Sequence, residues 1–360
     1  MMKKILFATS AIVAVAAAGS AQASEPIQLS VGGFMNQWIG FADEDNTGAG
    51  GRKNAFQSNT EIHFTGSTTL DNGIEVGAVV ELEGETSSDQ IDEQYLYING
   101  GFGRLELGKN DSAADSMQLA APAVGPVGVN DGDLSIWVDS YLIDTSSRAG
   151  DQNRATYYTP SISGFRAGVS FADDSGRNGS FDTDVISGSS IGGYHDDTAG
   201  DGDNIASVGL EYSGDFNGVS LGVSAMGENW AEGNLYGGGV NVGIANFTIG
   251  GSYSHTEDDY GRNERQSARV SDTDQFDLGV SYAMDAAAVS LTYGYADYGD
   301  GSTSGGRTGA GELNQVDLGL SYTLGAGIAW RSSVFWFDNE VEGAEDNDGY
   351  GAVTGIALTF

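Results

Sequence analysis

Sixteen short segments of apolar/polar alternation, joined in strict rotation by tight turns and long acidic loops, restrict what this chain can fold into. A period of two sends successive side chains to opposite faces of a strand. Ile74, Val76, Ala78, Val80 and Leu82 alternate with Glu75, Gly77, Val79, Glu81 and Glu83, and Asp71-Asn72-Gly73 ahead of them is a tight hairpin signal. The pattern recurs to the C-terminus, as where Phe276, Leu278, Val280 and Tyr282 alternate with Asp277, Gly279, Ser281 and Ala283. A soluble sandwich or propeller has no reason to sort its connections by length. A barrel in a bilayer does, with an even number of strands, short turns on one rim and longer loops on the other. Backbone groups in oil must all be paired, so the sheet has to close. The expected fold is therefore all-β, a 16-stranded antiparallel transmembrane barrel with apolar residues outward and polar or tiny ones inward. Tyr282, Tyr295, Trp330, Trp336 and Tyr350 fall near segment ends, as interfacial girdles require.

The N-terminus fixes the compartment. Lys3 and Lys4 precede an apolar run, Ile5 to Ala18, and Ala21-Gln22-Ala23 offers small residues where a signal peptidase reads. The run is shorter than the about 20 apolar residues of a spanning helix, so residues 1–23 are expected to be a cleaved signal peptide and residues 24–360 the barrel. The net charge of the whole chain is -36, and losing the leader removes two lysines and no acid. Nucleic acid is excluded as a partner, because phosphate binding needs a basic patch. With no cysteine, an exported chain of this length has no disulfides to rely on.

One stretch breaks the alternation. Residues 111–150 are far longer than the about 12 to 15 residues beyond which structureless loops become uncommon. They carry Asp111, Asp115, Asp131, Asp133, Asp139 and Asp144, yet also the apolar pieces Leu119 to Val129 and Leu134 to Val138. A solvated tail needs no such pieces, so this loop is expected to fold back onto a packed wall and present its carboxylates to the interior. Alternation puts Glu61 and Glu81 on the inward row with His63, Glu75 and Glu83; Lys109, Arg148 and Arg154 could supply basic groups near the loop's ends. His63, His195 and His255 are too scattered to form a zinc site among themselves. Asp346 with Asp348, and Asp201 with Asp203, have oxygen-ligand spacing reminiscent of calcium loops, but neither run has the closing Glu of a complete one. No cofactor is expected, and separated histidines among many serines specify no nucleophile and base, so no enzyme is expected either.

Four features resemble the trimeric general diffusion porins of Gram-negative outer membranes, most closely the alphaproteobacterial type. They are the hairpin Gly100-Gly101-Phe102-Gly103-Arg104-Leu105-Glu106-Leu107-Gly108-Lys109, the strand Arg154-Ala155-Thr156-Tyr157-Tyr158-Thr159-Pro160, the turn exit Gly164-Phe165, and the terminal Phe360. The resemblance implies a homotrimer in outer-membrane lipid and lipopolysaccharide, with the third loop, 111–150, constricting each lumen. It implies that Phe360 is read by the outer-membrane assembly machinery, and that ions and small hydrophilic solutes diffuse through a water-filled channel. The family commonly sets arginines opposite the acidic loop, whereas the second and third strands here bring Glu61, His63, Glu75, Glu81 and Glu83. Carboxylate rings favour cations, so cation preference is expected. The alternative is a substrate-selective channel with an aromatic track, for which Tyr158, Phe335 and Phe337 have inward parity.

Overall fold

A computed structural model describes residues 26–45, 53–85, 90–130, 133–147, 149–173, 204–261, 272–299, 303–304 and 307–360. The expected leader, Asp131, Arg148, Asp201 and Asp203 lie outside the described residues, as does the side chain of Asp133.

The chain runs through β1 (Gln28–Glu44), β2 (Asn54–Thr69), β3 (Glu75–Glu83), β4 (Ile91–Gly100), β5 (Gly103–Asn110), β6 (Gln152–Tyr158) and β7 (Phe165–Ala172). It continues with β8 (Ile205–Phe216), β9 (Val219–Trp230), β10 (Gly233–Ile244), β11 (Phe247–Thr256), β12 (Thr273–Met284) and β13 (Ala287–Tyr298). A two-residue pair, β14 (Thr303–Ser304) with β15 (Arg307–Thr308), precedes β16 (Gly311–Gly325), β17 (Ile328–Val341) and β18 (Asn347–Thr359). All but β14 and β15 join one closed antiparallel barrel of 16 strands. Between β5 and β6 lie α1 (Ala113–Ser116) and a 3-10 turn, Asp133–Ile136.

Closure depends on β1, which pairs with β2 on one side and β18 on the other. The terminal residue completes the seam: Phe360 N–H donates to the Gly33 carbonyl at 3.1 Å, and Gly33 N–H donates back at 3.0 Å. Alternation holds around the wall. Leu210, Ile249, Leu278, Leu291, Leu318 and Val334 are exposed outward, whereas Ser207, Ser252, Asp277, Thr292, Asp317 and Ser333 are buried inward. The aromatics expected at segment ends face outward at two levels, Tyr282 and Trp330 by the short turns, Tyr295, Trp336 and Tyr350 by the opposite rim.

One connection differs from expectation. Residues 228–235 read as a loop, but the β9–β10 ladder runs on to Trp230 opposite Gly233, and Ala231 turns the corner at φ 57°. Tyr260 explains this, packing edge-on against Trp230 at 5.4 Å and donating its hydroxyl to Glu228 at 2.6 Å. Those contacts hold the polar residues in the ladder.

Inward glycines form a trough for the long loop. A Cβ on Gly239 would sit 2.1 Å from the Leu119 carbonyl oxygen, and one on Gly319 would sit 2.5 Å from the Gly125 nitrogen. Backbone packs on backbone there, so neither neighbour can yield as a flexible side chain would. Overpacking of this kind costs typically about 1–3 kcal/mol. Gly239→Val and Gly319→Val should therefore lower the melting temperature of the barrel and open protease cleavage between residues 119 and 129. Gly325→Ala, where a Cβ meets nothing within 4 Å, should change neither; equal behaviour of all three variants would refute the trough.

Candidate functional site

Past Asn110 the chain turns into the lumen and finds its first partner at once. Ser112 Oγ accepts the Asp115 N–H at 3.2 Å and caps α1, while Ala113 N–H donates to Ser170 Oγ on β7 at 3.2 Å. The loop then travels around the wall. Leu119 N–H donates to Ser224 Oγ on β9 at 3.0 Å and Ala121 N–H to Asp277 Oδ1 on β12 at 2.7 Å. Val124 N–H follows with Ser290 Oγ on β13 at 3.1 Å, and Val127 N–H with Ser333 Oγ on β17 at 3.2 Å. Asp139 reaches β1 and β18, its N–H donating to Glu44 Oε2 at 2.9 Å and its carbonyl accepting from Asn347 Nδ2 at 2.8 Å. On the way back, Asp144 N–H donates to Gln275 Oε1 at 3.1 Å and Ser147 Oγ to Glu228 Oε1 at 2.6 Å. Irregular backbone away from bulk water needs partners, and inward hydroxyl, amide and carboxylate groups provide them.

The apolar pieces of the loop fill the space beneath it. Leu134, Val138, Tyr141 and Ile143 form one core with Tyr298, Phe335, Phe337 and Val353, and Tyr141 stacks on Tyr298 with centroids 4.0 Å apart. Met117 packs with Tyr158. Tyr158, Phe335 and Phe337 do point inward, as parity requires, but the loop covers them and they present no aromatic track to the lumen.

The bonds that pin residues 113–147 fall on β6, β7, β9 to β13, β16 to β18 and β1, so the loop's inner edge confronts the wall of β2 to β5. A cavity of about 540 Å³ lies between the loop and β10 to β12, with Asp115, Asn130, Asp144 and Ser146 from the loop and Asn241, Thr248 and Ser281 from the wall. Asp115 and Asp144 line that cavity and are half-buried, as are Asp111 at the start of the loop and Asp139 at the β1 seat. Burial, followed by the neighbouring Asp115, pushes the Asp111 carboxyl well above the usual carboxylate range; Asp151 and Glu93 add to the rise. On the facing wall, Glu61 and Glu81 flank His63, whose Nε2 lies 3.4 Å from Glu61 Oε1 and 3.7 Å from Glu81 Oε2.

The basic groups near the loop's ends are engaged elsewhere. Arg154 is inward and 4% exposed, its guanidinium donating to the Gly150 and Gln152 carbonyls at the loop's return. Lys109 is opposite Gln94 and Asn153, out of phase with Arg154, and its buried ammonium donates to the Ile91 carbonyl at 2.8 Å. It ties β5 to β4 instead of standing open in the neck. Arg104 and Arg166, outside the expected basic set, share this wall. Arg104 pairs with Glu106 and lies 4.0 Å over the Tyr97 ring; Arg166 pairs with Glu211 at 2.9 Å. Their alternation phase, shared with Tyr158 through the β5–β6–β7 register, was the signal available. Asp277 was likewise noted only for parity, yet it accepts from Ala121, Ser252 and Asn130 and anchors the loop. Asp346 and Asp348 are exposed on the rim before and at the start of β18.

The family model for Gram-negative porins matches residues 8–341. The porin of Rhodobacter capsulatus is 26% identical over 119 residues, a match spanning 33% of this chain and only 38% of that relative's length. The anion-selective porin of Comamonas acidovorans superposes with a TM-score of 0.62 at 16% identity, covering 93% of this chain and 100% of the other. The trimer form of Vibrio cholerae OmpT gives 0.61 at 12%, covering 93% and 100%. A triple mutant of the Rhodopseudomonas blastica porin gives 0.58 at 14%, covering 92% and 100%. Those structural likenesses concern the fold; the family match concerns the chain itself, and with a closed 16-stranded barrel and an in-folded third loop, this chain belongs to the Gram-negative porin family of outer-membrane channels.

Proposed function

We propose that the barrel is a passive diffusion channel for ions and small hydrophilic solutes with a preference for cations, working as a homotrimer. The observation that carries the preference is the imbalance of open charge at the neck. Asp115 and Asp144 stand on the loop and Glu61 and Glu81 on the wall of β2 and β3, whereas Arg104, Arg154, Arg166 and Lys109 are each bonded to a carboxylate or a carbonyl and Arg331, inward on β17, lies near the short-turn rim. One sign of charge in a narrow cleft with low-dielectric walls raises the local concentration of its counterion. A porin of the same fold is anion-selective, so selectivity is set by the lining and not by the barrel. Phe360 at the seam supports the role of a terminal signal for the assembly machinery, and the outward apolar belt suits lipid, with lipopolysaccharide at the acidic loop rim. Asp346 and Asp348 remain a proposed rim contact for calcium; that the covered aromatics leave no track supports general diffusion over a solute-binding lumen.

Two measurements in planar bilayers test this. Each carboxylate about 5 Å from a permeating ion in a water-filled neck contributes roughly 1 kcal/mol, so Asp115→Asn with Asp144→Asn should lower the cation-to-anion permeability ratio several-fold. An unchanged reversal potential under a salt gradient, or an anion-favouring one in the parent protein, would overturn the proposal.

The second measurement concerns pH. Asp111, held protonated by burial beside Asp115, Asp151 and Glu93 and with Arg154 also near, gains its charge only as pH rises above the ordinary carboxylate range. Cation preference should therefore increase toward alkaline pH, and Asp111→Asn should flatten that increase; a preference that falls as pH rises contradicts the assignment.

A further inference from the structure

The carboxylates and imidazole on the wall opposite the loop are arranged for more than charge. Strand register builds the group. His63 on β2 is directly opposite Glu81 on β3, Glu61 precedes His63 by two residues on the same face, and Glu83 is opposite Glu61. The turn that sets this register is held by Ile74 N–H donating to Asn72 Oδ1 at 3.1 Å, with Gly73 at φ 80°. Ligand atoms of Glu61, His63 and Glu81 all lie within 4.8 Å of one another.

The distances match coordination better than hydrogen bonding. His63 Nε2 is 3.4 Å from Glu61 Oε1 and 3.7 Å from Glu81 Oε2. Two donors each about 2.0–2.1 Å from a tetrahedral zinc ion are held about 3.4 Å apart. His63 Nε2 and Glu61 Oε1 are moreover sealed from solvent and have no hydrogen-bond partner, a costly state for buried polar atoms. The Phe34 ring packs edge-on to the imidazole at 6.2 Å. Other atoms of all three side chains keep some exposure, 13% for Glu61, 19% for Glu81 and 26% for His63, so a small side-chain movement opens the sealed ligand atoms to an ion and a water from the lumen.

We propose that Glu61, His63 and Glu81 form a binding site for a divalent transition-metal ion, zinc above all, on the neck wall. One imidazole nitrogen with two carboxylate oxygens suits zinc and its neighbours in the first-row series. Calcium and magnesium take oxygen ligands, and calcium wants six or more. A fourth position facing the lumen is left for water. An ion held there replaces negative charge on the neck wall with a net charge nearer zero, so it lowers the flow of monovalent cations and delays its own passage.

The site itself stands on side-chain geometry, and only its effect on current rests on the proposed channel function. Zinc binding is therefore measured first by equilibrium dialysis on the folded, detergent-solubilised barrel, purified without a histidine tag and in excess calcium to occupy the rim acids. Zinc should bind with an affinity that His63→Ala and Glu81→Gln each weaken about tenfold or more, while both variants keep the parent's heat-modifiable mobility. Cobalt, bound in place of zinc, should give a visible absorption band that His63→Ala abolishes. Equal zinc affinity in the parent and both variants, or an unchanged cobalt band in His63→Ala, would overturn the site. If zinc binds as expected but leaves bilayer conductance unchanged, the site stands and its placement in the conducting neck is what falls.

Discussion

Every other feature of this protein follows from the need to pair each backbone amide and carbonyl across a wall that faces oil. In hydrocarbon an unpaired group costs several kcal/mol, and a sheet with two edges would leave two rows of them. Closure of β1 onto β18 removes both edges, with Gly33 and Phe360 exchanging the last pair of bonds at the rim. Once the ladder closes, parity is locked all round the circle, because a slip of one residue anywhere would turn an entire row inside out. The belt of Leu278, Leu291, Leu318 and Val334 and the inward row of Asp277, Thr292, Asp317 and Ser333 are two consequences of one constraint.

The same requirement, applied inside, determines how the third loop sits. Its backbone is irregular and much of it is buried, so its amides must be met by the wall. Ser170, Ser224, Ser290 and Ser333 each accept one, and Asp277 accepts a loop amide, an inward wall amide and the Asn130 side chain. Glycines between them allow the loop to lie flat against the strands. The small and polar inward residues therefore have a double origin. Some face water, as alternation alone would suggest, but those on β7 to β17 largely serve as the seat of a second layer. β2 to β5, away from that seat, turn Glu61, His63, Glu81 and Arg104 toward the lumen, and beyond them the Arg166–Glu211 pair on β7 and β8 and Arg331 on β17 share the inward phase.

This division also marks what the sequence could disclose. Sixteen strands, the turn at Asp71-Asn72-Gly73 and the inward phase of Arg154 were legible because each depends on local pattern: period, turn chemistry and parity. The extension of β9 and β10 was not, because Tyr260, thirty residues from Trp230 in the chain, supplies the contacts that hold it. Lys109 reads as a neck cation by its position beside the loop, yet the side chain reaches sideways to Ile91, a contact across strands that no run of residues reveals. Tyr158, Phe335 and Phe337 illustrate the same limit. Parity turned them inward correctly, but whether an inward ring meets water or another ring depends on the loop's path.

Charge at the neck is therefore decided by two kinds of pairing, and they do not treat the signs alike. A guanidinium or ammonium carries several N–H donors, and a barrel offers it carbonyl oxygens wherever a strand ends, so Arg154 and Lys109 are drawn into the wall by Gly150, Gln152 and Ile91. A carboxylate accepts only, and the ladder has already claimed the strand amides. Carboxylates beyond the few that anchor the loop must find a cation, a proton or water in the lumen. Asp111 takes the proton, Glu106 and Glu211 take arginines, and Glu61 and Glu81 share the space around His63. On the proposed reading, a wall rich in acids and poor in free donors keeps its negative face toward the lumen.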